Sequence, residues 1–171
     1  DNPDAARTHI GLIRNSGFPD AVVRDSLNLV YNMTVGAGKN AAPKQAAQII
    51  EDYLKVDPGN TRALRDRLEV SIRSCEDKQS SIQTRLAAMR TARPKADLLK
   101  SKTGPHETDR DRSLEVLREF FVTWADTCFA EGVRLYNSDQ PSNAMFRESC
   151  EKSGEACEFE SSGMKAQTLY R

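Results

Sequence analysis

S-L-E-V-L-R-E-F-F-V-T-W-A-D-T-C-F-A-E-G-V-R-L-Y, residues Ser113 to Tyr136, decides the fold class of this chain. Leu114, Leu117, Phe120, Phe121, Trp124, Cys128 and Phe129 recur at steps of three and four, which places them on one side of a helix of about 3.6 residues per turn. The stretch is the most apolar in a chain whose hydrophobic share is 38% against 29% charged. It is therefore expected to be a helix at the centre of the core.

Working outward, helix starts and stops are punctuated in the same way along most of the sequence. Proline suits the first helical turn, because its fixed φ is already helical and its missing N–H has no partner there anyway. Asn2-Pro3 opens one segment that Gly17 stops, Phe18-Pro19-Asp20 opens a second through Val23, and Pro43 opens a third. In the third, Ala46, Ile49, Ile50, Tyr53 and Leu54 form a broad apolar face, ended by Asp57-Pro58-Gly59. Capped by Asn60 or Thr61, the series Leu64, Leu68, Ile72, Cys75, Ile82, Leu86 and Met89 follows with a missed step near Gln79. It predicts one long helix, or two meeting near Ser80 and Ser81.

Arg93-Pro94 is expected to end that helix, because the proline ring clashes with a helical residue before it. From 99 to 112 the composition turns polar and reads as a mobile loop. Pro141-Ser142 starts a shorter helix that is expected to stop near Gly154. The fold class that results is all-α: antiparallel helical hairpins stacked as a short repeat-like array or an irregular bundle. The chain is read as a single domain over 1–171, or as two lobes, 1–98 and 113–160, joined by the loop at about 99–112.

Lysine and arginine number 25, as do aspartate and glutamate, so no global field draws the chain to nucleic acid or an anionic membrane. The charges are unevenly spread, however. Arg85, Arg90, Arg93, Lys95, Lys100 and Lys102 face only Asp97 within their segment, whereas Glu148, Glu151, Glu155, Glu158 and Glu160 crowd the tail. The basic run predicts a contact with an acidic peptide or helix of a protein partner. Arg90, Arg93 and Lys95 would steer the encounter, and Leu98 and Leu99 would anchor it.

The four cysteines lack zinc spacing, and Cys75 and Cys128 fall on apolar helical stripes. Cys150 and Cys157 flank Gly154, so a loop there could join them as a disulfide in an oxidising compartment. With that bridge the compartment is extracytoplasmic, and without it cytoplasmic. No apolar run has the length of a membrane span, and Asp1 is read as a processed terminus or a fragment boundary.

Catalytic motifs are missing. Residues 27–35 alternate like a strand, and Gly36-Ala37-Gly38-Lys39-Asn40-Ala41 after them has the spacing of a dinucleotide turn, which makes a nucleotide site at Gly36 to Lys39 one alternative. His106-Glu107 begins like a zinc-protease motif, but Arg110 stands where its second histidine belongs. Glu107, Asp109 and Asp111 could hold a hard cation, opposed by Arg110 and Arg112. His9 has no nucleophile in a recognisable motif beside it. No catalytic, cofactor or metal residue is assigned, and an enzyme is not expected.

Residues Gln45 to Leu64, Q-A-A-Q-I-I-E-D-Y-L-K-V-D-P-G-N-T-R-A-L, resemble the second helix of a tetratricopeptide repeat running into the next repeat. Ala46, Ile50 and Pro58 fall at that family's small, large-apolar and proline positions, while Tyr53 occupies one it keeps small. Gly132 and Ala144 echo its glycine-to-alanine spacing. The resemblance implies stacked helical hairpins with a concave face that binds a partner segment. The leading expectation is a non-enzymatic interaction or scaffold module. A secreted or periplasmic helical effector or envelope component, held by the Cys150–Cys157 bridge, is the other alternative.

Overall fold

The computed structural model describes residues 3–19, 21–23, 25–26, 43–77, 79–105 and 108–159. Among them the regular structure is entirely helical. Six helices have defined extents: α1 (Pro3–Arg14), α2 (Pro43–Leu54), α3 (Thr61–Glu76), α4 (Ile82–Lys102), α5 (Arg110–Tyr136) and α6 (Asn143–Cys157). The alternating stretch 27–35, the glycine turn at Gly36 to Lys39 and the His106-Glu107 pair lie outside the described residues.

Local chemistry sets the starts. α1 and α2 begin at Pro3 and Pro43, and Gly17 takes the left-handed conformation, φ 68°, just past α1. Asn60 caps α3, its side-chain oxygen accepting from the Ala63 N–H at 3.0 Å. The same amide donates to the Tyr53 hydroxyl at 3.1 Å, which satisfies a phenol that is otherwise buried at the end of α2. The missed step near Gln79 is a break between two helices. α3 ends at Glu76, and Ser81 caps α4 by accepting from the Thr84 N–H at 3.1 Å.

Two expected stops are not stops. Pro94 lies inside α4, where its ring denies the Arg90 carbonyl a helical N–H. Ala92, Ala96 and Leu99, all fully buried on either side of it, carry the helix through by packing. Gly154 likewise lies inside α6, because Lys152, Ala156 and the following Phe159 are buried and outweigh the roughly 1 kcal/mol that glycine costs a helix. The expected loop at 99–112 shrinks correspondingly, with α4 reaching Lys102 and α5 beginning at Arg110. Arg65 holds the start of α5, donating to the Asp109 carboxylate at 2.7 Å and to the Ser113 hydroxyl at 3.3 Å.

One hydrophobic core runs from Val23 to Phe159 and includes residues from both sides of that connection. Short turns join α3 to α4 and α5 to α6, and each of these pairs packs together, so both are antiparallel hairpins. α3 also touches α2 and α5, and α4 touches α5. α5 supplies the core's aromatic centre: Phe120 meets Phe121 and Trp124 edge-on at 5.3 and 5.7 Å between ring centroids, and Phe121 stacks on Phe159 at 5.8 Å. Phe129 departs from the expected buried stripe, being 55% exposed and tilted against Phe146 instead. Gly132 brings the two helices of the last hairpin together, since a Cβ there would lie 2.7 Å from the Phe146 ring.

Candidate functional site: a groove between three helices

The basic run of α4 divides between two faces of that helix. Arg90, Arg93 and Lys100, at steps of three and seven, face α6. Arg90 pairs with Glu148 at 2.8 Å, Arg93 with Glu155 at 2.9 Å and also with Asp97 on its own helix, and Lys100 with Glu158. Acidic side chains of this chain's own tail thus engage three cations of the run that was expected to meet a partner. Aromatic rings lie beneath these pairs, with the Arg93 guanidinium 5.3 Å from the Phe121 centroid and the buried Lys152 ammonium 4.9 Å from that of Trp124. The Trp124 indole donates to Glu148 at 3.0 Å, so one carboxylate joins α4, α5 and α6.

Leu99 cannot anchor a partner, because it is 0% exposed and lies in the core, and Leu98 is half-buried against that core. Periodicity explains both placements, since residues 92, 96 and 99 form the inward stripe of α4 and position 98 borders it.

Nor can Cys150 and Cys157 form the expected bridge. Both lie in α6, two turns apart, which separates their Cα atoms by about 10 Å along the axis, beyond the roughly 7 Å a disulfide spans. All four cysteines are free. Burial, aided by the Glu148 charge, pushes the Cys128 thiol up to about 12, and burial raises Cys75 as well, so neither is a nucleophile near neutral pH. His9 is exposed on α1, and Asp109 is engaged by Arg65.

Lys95 turns the other way, into a half-open groove of about 630 Å³ walled by α2, α3 and α4. Small side chains make the space: Ala47 from α2, Ser74 from α3, and Thr84, Ala88 and Thr91 from α4. At one end Asp77 accepts from the Ser80 hydroxyl at 2.8 Å and from the Gln79 N–H at 3.0 Å. At the other, Glu51 accepts from Arg67 Nε at 2.8 Å and pairs with Lys95 at 3.0 Å. Burial works to raise the Glu51 pKa, but the two cations outweigh it and hold the carboxyl below its ordinary range. From Thr84 to Lys95 the groove runs about 16 Å along α4, the reach of roughly five residues of extended chain.

Of the residues singled out in the sequence, only Lys95 belongs to this groove, and its partners Glu51 and Arg67 were not singled out. Their only signal was a charged residue on the border of an apolar stripe, which is common on any amphipathic helix. A second exposed feature lies on the last hairpin, where Phe129, Val133 and Tyr136 form an apolar stripe along α5. Among the described residues no helix is long and apolar enough to cross a membrane, and no cluster of potential ligands could hold a metal ion. No protein-family model matches this chain, and neither curated proteins nor solved structures give a match to it.

Proposed function

We propose that this protein is a non-enzymatic interaction module whose α2–α3–α4 groove receives an extended segment of a partner protein. The observation that carries the proposal is the groove itself, an open trough with small side chains along its walls and a charged group at each end. Its volume falls within the range of about 300–1,000 Å³ typical of binding sites, and its open side suits a chain passing through better than an enclosed small molecule. The hairpin arrangement and the resemblance around residues 45–64 agree with a scaffold of this kind. The perturbed thiols are buried and protonated, which disfavours nucleophilic chemistry there.

A displayed library of blocked linear peptides, selected on the intact protein, tests the proposal. Selected peptides should lose binding to Ala88→Trp, whose indole fills the trough, and should keep it toward Tyr136→Ala on the distant α5 stripe. Peptides that bind Ala88→Trp as well as the parent, or a selection that enriches nothing, would remove the groove from consideration. Dependence on Tyr136 would move the interface to the last hairpin.

A further inference from the structure

We infer that the cationic end of the groove is a carboxylate-binding subsite, in which Arg67 and Lys95 hold an aspartate or glutamate side chain of the bound segment. The inference rests on the groove being the binding site and adds the chemistry of what enters it.

Arg67 carries the case. Its side chain is only 7% exposed, yet it lines the groove. Nε donates to Glu51, and Nη1 donates to Ser71 at 2.5 Å. Nη2 donates no hydrogen bond to any described residue. A guanidinium has five N–H donors in a fixed fork, so an Nη2 from which no described residue accepts is left for a ligand in the groove. Buried polar groups are otherwise satisfied almost without exception.

Lys95, 28% exposed, adds to this. Its ammonium has three donors, of which Glu51 engages one. Glu51 is thus shared between two cations, and among the described residues this end of the trough keeps one positive charge without a counterpart. A single carboxylate matches that charge and can accept from Arg67 Nη2 and from the Lys95 ammonium. A phosphate dianion would overcompensate it and would sit against the Glu51 carboxylate. An ammonium would meet two like charges. Glu51 itself already occupies one side of the fork as an internal carboxylate, with its pKa depressed by the same two cations that would receive a ligand.

The test measures the affinity of groove-selected peptides in paired forms, each with its Asp or Glu changed to Asn or Gln, and termini blocked throughout. Neutralising the acid should weaken binding by about tenfold, the scale of one charge-assisted contact in a partly desolvated site. Lys95→Gln, a substitution on a partly exposed side chain that should not disturb folding, should weaken the acidic form about as much and leave the neutral form unchanged. Glu51→Gln removes the competing carboxylate and should tighten the acidic form several-fold, with helical circular dichroism confirming the fold. Inorganic phosphate should displace the acidic peptide no better than chloride at equal ionic strength.

If peptides bind in the groove, as judged by Ala88→Trp, but ignore both the loss of their acid and Lys95→Gln, the subsite is wrong while the groove stands. Strong displacement by phosphate would overturn the carboxylate assignment. Binding insensitive to Ala88→Trp would overturn the groove first and the subsite with it.

Discussion

Replacing Trp124, the chain's single tryptophan, separates what its ring does from what its N–H does. The ring is 4% exposed, meets Phe120 edge-on, stacks parallel to Phe121 at 6.5 Å and carries the Lys152 ammonium on one face. Truncating such a side chain costs about 3–5 kcal/mol, against a net stability of roughly 5–15 kcal/mol for a domain. At about 2–4 °C per kcal/mol for a chain of this size, Trp124→Ala should lower the melting temperature by about 6–20 °C. Trp124→Phe keeps a ring against Phe120 and loses the hydrogen bond to Glu148, worth about 1.5–3 kcal/mol because the acceptor is charged. Glu148 keeps its Arg90 partner, so the phenylalanine variant should fall well short of the alanine one. Thermal unfolding followed by far-ultraviolet circular dichroism measures both, and acrylamide quenching of the parent's lone indole checks its burial independently. An alanine variant that melts within about 2 °C of the parent would refute this account of the α4–α5–α6 packing.

Thiol labelling of the folded protein near pH 8 should modify Cys150 readily while sparing Cys75 and Cys128, and the reagent should count four thiols after unfolding without reductant; two thiols in that unfolded count would restore the Cys150–Cys157 bridge. The paired Arg134 guanidinium, helped by Gln83 at 2.7 Å, holds the Glu131 carboxyl below its ordinary 4.5. The stability it contributes is therefore fully present above that value and is lost as pH falls through the lower folded value. Glu131→Gln should melt below the parent at neutral pH and converge with it in acid; a gap that persists unchanged at about pH 2 would assign the effect to packing. Gly132→Ala should destabilise, because fitting a methyl 2.7 Å from the Phe146 ring costs about 1–3 kcal/mol against a helix gain of roughly 1 kcal/mol, and Phe146→Leu should recover part of the loss in the double variant.

Helical periodicity and capping are local properties, and they were legible. The proline starts at Pro3 and Pro43, the Asn60 cap and the apolar face of α5 follow from backbone chemistry within a few residues, and Ser81 as a cap settles which of two readings near Ser80 and Ser81 holds. Pro94 and Gly154 misled because their helix-breaking effects, though real, are smaller than the packing of Ala92, Ala96, Leu99 and Ala156 around them. Phe129 misled because a helical wheel ranks positions only by angle, whereas α6 meets that edge of α5 with the Phe146 ring and leaves Phe129 55% exposed.

The sequence by itself determined that the described chain is helical, where most of its helices begin, and that its charges are segregated into a basic run and an acidic tail. Only the tertiary structure decided what those charges do. α6 folds back to neutralise Arg90, Arg93 and Lys100, while Lys95 turns to the opposite face of the same helix, toward Glu51 and Arg67. The physical reason is that a helix fixes which residues share a face, but which faces of successive helices come together is set only when their apolar stripes are buried in one core. The groove and its shared carboxylate are products of that meeting.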